Sequence, residues 1–117
     1  MVKPWLRAIE DDGRVVDDPT EEVLHDLLAD MNLRHRFVIL ERCDLEPHGQ
    51  HYMQAYLNDD MSYQIEYREG SADKHYQTHL PAPHELVGPE PVARLMIDWA
   101  HDRPGWREAM QWVPLPL

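Results

Sequence analysis

The chain has 117 residues, a length that suits one domain and leaves little room for two independent cores. Its 22 acidic residues against 11 basic ones leave a formal net charge of −11, which argues against a general nucleic-acid binder needing a cationic footprint. Apolar residues make up 43%, but none of the uninterrupted apolar runs approaches the roughly 20 residues needed to cross a bilayer.

The segment from Met1 to Arg7 lacks the apolar stretch and small-residue cleavage site of a secretory signal. Cys43 is the sole cysteine, so no internal disulfide can form. Its apolar surroundings predict a buried structural thiol, and the cytoplasm is the expected compartment. Acidity is concentrated early: residues 1–30 carry nine acids against three bases. No internal repeat or low-complexity linker is visible, and the whole of 1–117 reads as one α+β domain.

Residues 5–9 alternate weakly, and Asp11-Asp12-Gly13 before Arg14-Val15-Val16 allows a short hairpin. Asp18-Pro19-Thr20-Glu21 predicts a helix start, with Asp18 as the cap, Pro19 first and Glu21 third. Val23, Leu24, Leu27, Leu28 and Met31 then form one helical stripe, stopped by Asn32. Residues 36–43 are β-branched and aromatic enough for a strand. Three runs at hairpin spacing follow, at 51–57, 62–69 and 74–80, with turns at 58–60 and 70–73. Together these predict an antiparallel four-stranded meander. A second helix is expected from about Pro91 to His101, its buried stripe being Val92, Leu95, Met96, Trp99 and Ala100. Trp106, Met110 and Trp112 precede a Pro114-Leu115-Pro116 tail that cannot be a central strand and is expected to fold back over the sheet or helix.

Two amphipathic helices over one face of the meander make a two-layer α+β sandwich. Strand alternation then divides the side chains. Met53, Ala55, Leu57, Tyr63, Ile65, Tyr67, Tyr76, Thr78 and Leu80 form the expected core face. Tyr52, Gln54, Tyr56, Gln64, Glu66, Arg68, His75, Gln77 and His79 point the other way. That outward set is either the wet side of an antiparallel sheet or a contact surface. Its two Tyr and three Gln without any Lys resemble an interface composition, so Tyr52, Gln54, Tyr56, Gln64, Glu66, Arg68, His75 and Gln77 are the candidate binding residues.

Other chemistry is less well supported by spacing. His75 and His79 share a strand face but stand about 13 Å apart along it, too far for one tetrahedral ion. His48 and His51 lack a third ligand, so no metal or cofactor is expected. Glu41, Glu66 and His75 could gather on adjacent strands as an acid/base group, which keeps open a small-ligand binder or enzyme. The chain lacks the nucleophile-elbow, P-loop, zinc-helix and dinucleotide-binding patterns. Trp99 is expected in the core, with Trp106 and Trp112 packing the tail.

Phe37-Val38-Ile39-Leu40-Glu41-Arg42, Tyr52-Met53-Gln54, Tyr63-Gln64-Ile65-Glu66-Tyr67-Arg68 and the Trp106 to Trp112 segment carry a resemblance in architecture over residues 18–113. The order of helix, meander, helix and Trp-rich tail resembles small bacterial, often actinobacterial, proteins of the polymorphic-toxin immunity group. That resemblance implies a non-enzymatic acidic protein that neutralises a partner by covering it, for instance a basic toxin such as a nuclease. It assigns no binding residue. A chaperone-like homodimer associating through its sheet remains the alternative among binding roles.

Overall fold

A computed structural model describes residues 4–81 and 88–115. Strands β1 (Leu6–Glu10) and β2 (Val15–Asp17) form a hairpin, followed by helix α1 (Glu21–Ala29). Strands β3 (Phe37–Arg42), β4 (His51–Leu57), β5 (Tyr63–Glu69) and β6 (His75–Leu80) come next. Helix α2 (Glu90–Ala100) and a two-residue strand β7 (Val113–Pro114) complete the described order. The loop-like stretch expected at 81–91 falls mostly outside the described residues.

The α+β class and the meander β3-β4-β5-β6 appear as the sequence predicts, but the sheet has seven strands instead of four. It is antiparallel throughout, in the order β2-β1-β3-β4-β5-β6-β7. The extra strands have local causes. Gly13 takes a φ of +88°, which the tight turn needs and an L side chain resists. Asp12 Oδ1 accepts from the Arg14 amide at 2.9 Å, closing the turn. With the hairpin made, Leu6 and Ala8 alternate into the core, and β1 pairs along β3. At the other edge the tail returns beside β6, where Pro114 is tolerated because an edge strand need not donate outward.

Asp18 does not cap α1. Thr20 does, its Oγ1 accepting from the Val23 amide at 3.1 Å, so the helix begins at Glu21. Asp18 adopts a positive φ, and its Oδ1 accepts from the amides of Trp5 and Leu6, each at 2.9 Å. The carboxylate therefore pins the entry of β1. Val23, expected on the helical stripe, is exposed, whereas Leu24, Leu27, Leu28 and Met31 are buried.

Both helices pack on one sheet face and against each other. The α2 stripe of Val92, Leu95, Met96, Trp99 and Ala100 is buried with Val38, Leu40, Met53, Ala55, Leu57, Tyr63 and Ile65. Cys43 is buried as expected. The Trp-rich tail closes the same side. Tyr67 is stacked by Tyr76 and met edge-on by Trp106 and Trp112, with centroids 4.9, 4.9 and 4.6 Å away. Among the described residues no helix is long and apolar enough to cross a membrane.

Candidate functional site: the open face of the sheet

The opposite face carries neither helix. Strand registers arrange its side chains in three rows across the sheet. One row runs Asp17, Arg7, Glu41, Tyr52, Arg68, His75. The next runs Val15, Ile9, Ile39, Gln54, Glu66, Gln77, Val113. The third is Phe37, Tyr56, Gln64, His79. All eight candidate binding residues thus lie on this face, in register, as alternation predicts.

The first row is electrostatically ordered. Arg7 Nε donates to Asp17 Oδ1 at 2.9 Å. At its far end a chain of hydrogen bonds runs along β5 and β6. Arg68 Nη1 donates to Gln50 Oε1 at 2.9 Å and Arg68 Nε to His75 Nδ1 at 3.1 Å. Because arginine only donates, Nδ1 is the acceptor, and His75 Nε2 donates to Glu66 Oε1 at 2.7 Å. The Tyr52 ring meets His75 edge-on at 5.9 Å, and the Arg68 guanidinium lies 5.6 Å from that ring's centre. Burial pushes the Tyr52 phenol up, with Arg68 opposing and Glu66 adding to the shift.

Of the eight candidate binding residues, His75 is the one that is buried. It points to the open side but is only 3% exposed, because Arg68, Glu66 and Tyr52 close around the ring. Its Nε2 holds the more exposed Glu66 carboxylate in place. Gln64 donates to Gln77 across β5 and β6, which orients both amides. The Arg36 guanidinium pairs with Asp59 at 2.6 Å and is held above its usual pKa first by Asp59, then by Tyr56. These residues border a shallow recess of about 520 Å³ at that end of the strands.

The expected grouping of Glu41, Glu66 and His75 forms only in part. Glu66 meets His75, but β4 lies between β5 and the β3 strand that carries Glu41, so Glu41 stands apart, facing Arg7 and Tyr52. Among the described residues no three His, Cys, Asp or Glu side chains gather with metal-ligand geometry. His51 Nε2 instead contacts the Glu46 carbonyl at 2.9 Å, and His48 lies beside Glu41.

The sequence reading missed half of the face. Val15, Ile9, Ile39 and Phe37 extend it over β2, β1 and β3, next to Gln54 and Tyr56. Val15 is exposed and the other three are half-buried. A signal for this was present: Phe37-Val38-Ile39-Leu40 is apolar at successive positions, so both faces of that strand must be apolar. The result is an apolar half joined to a polar half through Tyr56, Gln54 and Tyr52. Such a surface has area, hydrogen-bonding groups and carboxylates.

Comparison of the chain with protein-family models, curated proteins and solved structures finds no match.

Proposed function

We propose that the protein is a non-enzymatic binding module of the immunity type, which covers a cationic protein partner with the open face of its sheet. The observation that carries this reading is the patch of Val15, Ile9, Ile39, Phe37 and Tyr56, which no helix among the described residues covers, in register with Glu41 and Glu66. Contiguous apolar side chains on an open surface mark interaction sites, and flanking charge selects the partner. The net charge of −11 favours a cationic protein over a second copy, since two such chains repel. A basic toxin is a partner of this kind.

The experiment is co-purification with the product of the adjacent gene, followed by calorimetry on open-face variants. Tyr56→Ala is expected to weaken association by about 2 kcal/mol, and Gln77→Ala by much less. Circular dichroism should show an unchanged fold in both. Normal association of a folded Tyr56→Ala protein would make the face merely wet. Dimerisation without any partner, seen by sedimentation, would favour the self-associating alternative.

A further inference from the structure

Glu41 is an unusual occupant of the open face. It is 9% exposed, and its Oε1 is buried with no hydrogen-bond partner among the described residues. The row places Arg7 beside it; the Arg7 Nε donates to Asp17, and Glu41 acts on the guanidinium only through space. On the other side stands Tyr52. Among the described residues the one basic atom within 4 Å of Oε1 is His48 Nε2 at 3.9 Å, beyond hydrogen-bond distance, on a side chain that is 62% exposed. A carboxylate oxygen removed from water is stabilised by a charged donor, and among the described residues Oε1 has none within hydrogen-bond distance.

We infer that Glu41 is a receptor for an arginine side chain of the protein that docks on this face. The inference rests on the docking role proposed above and specifies its chemistry. A carboxylate whose Oε1 receives no hydrogen bond from the described residues suits the forked guanidinium, which can donate to both oxygens; an ammonium does not match that fork. Its surroundings fit the same ligand. Ile39 and Gln54 lie one row away, where an arginine's methylene stem would run, and Tyr52 offers a ring beside the guanidinium plane. Glu66 is a second anchor, about 12 Å away by strand spacing, two strands across and one row along. The exposed His48 is the group that the incoming arginine displaces.

The test uses two capped tripeptides, Gly-Arg-Gly and its citrulline isostere, titrated into the full-length protein and followed by amide NMR. The arginine peptide is expected to shift Glu41, Arg42, His48 and Tyr52 saturably, and the neutral isostere to leave them in place. Glu41→Gln should weaken the arginine peptide by at least about tenfold, since it removes the charged acceptor. The variant should keep or raise the thermal midpoint, because it relieves an unpartnered buried charge. The inference is overturned by equal binding to Glu41→Gln, by absence of shifts, or by shifts confined to acidic helix residues such as Glu22 and Asp26. A marked fall in the midpoint of Glu41→Gln would also overturn it, by making Glu41 a structural residue. Failure of the docking role is seen separately. If the peptide binds at Glu41 while Tyr56→Ala leaves partner binding intact, the arginine site stands and the docking face is wrong. If Tyr56→Ala disrupts the complex while Glu41→Gln binds partner and peptide normally, the reverse holds.

Discussion

His75 and Glu66 meet across neighbouring strands with the ring Nε2 2.7 Å from the carboxylate Oε1, the ring buried and the carboxylate on the open side. Here the histidine is a structural link between Arg68 and Glu66. It keeps one carboxylate oriented on the open side.

Removing that link should be felt in stability. His75→Ala leaves Arg68 Nε and Glu66 Oε1 without their shared partner, and is expected to cost about 2–4 kcal/mol. His79, on the same strand but exposed, should cost less than about 1 kcal/mol when changed to Ala. Urea unfolding of the two variants makes the comparison. Equal losses would mean that the hydrogen-bond chain is unimportant.

Arg42 anchors the opposite end of the core side. Its guanidinium is nearly buried, pairs with Asp44 and Asp102 at 2.8 Å each, and lies 5.6 Å from the centre of the Trp5 ring. Burial works to raise the Asp44 pKa, but hydrogen bonds from Arg42 and Trp5 outweigh it and hold the carboxyl below its ordinary value. A depressed folded-state pKa contributes stability above the unfolded value of 3.8, which is lost as pH falls through the folded one. Arg42→Met should therefore lower stability by about 2 kcal/mol at neutral pH and flatten its decline below pH 4. Some acid sensitivity should persist, because Ser62 and Ser71 hold Asp60 and Asp73 low in the same way. Thermal midpoints between pH 6 and pH 2 test this.

The alkaline limit has the opposite sign. Burial pushes the phenols of Tyr63 and Tyr67 up to about 12 from 10.0. Their contribution is complete below the unfolded value of 10.0 and is lost as pH rises toward 12. Unfolding above pH 10 should coincide with late tyrosinate absorbance. Titration of every tyrosine near pH 10 in the folded protein would contradict the burial.

The Trp-rich tail should be part of the folded unit. Trp106→Ala removes the indole that meets both Tyr67 and Trp112, and is expected to cost about 3–5 kcal/mol. Trp112 Nε1 is buried with no hydrogen-bond partner among the described residues, so Trp112→Phe loses no bond and should cost about 1 kcal/mol or less. Chemical denaturation followed by far-ultraviolet circular dichroism measures both.

Much of this architecture is legible locally. The β3-to-β6 meander, the stripes of both helices and the division of strand residues between two faces follow from periods of 2 and 3.6, which depend only on neighbours in sequence. The same alternation put Tyr52, Gln54, Tyr56, Gln64, Glu66 and Gln77 on one surface. What only the tertiary structure decided involves partners far apart in the chain. The β1–β2 hairpin joins the sheet because Leu6 to Glu10 finds Val38 to Arg42, and Asp18 becomes a pin for β1 because that strand lies within reach. His75 is buried because three side chains from β4 and β5 close over it, although its own position on the strand points outward. Glu41 and Glu66 lie on opposite sides of β4 through the order of the strands, which alternation along each strand does not specify. Periodicity sets which way a side chain points; strand pairing sets what it meets there.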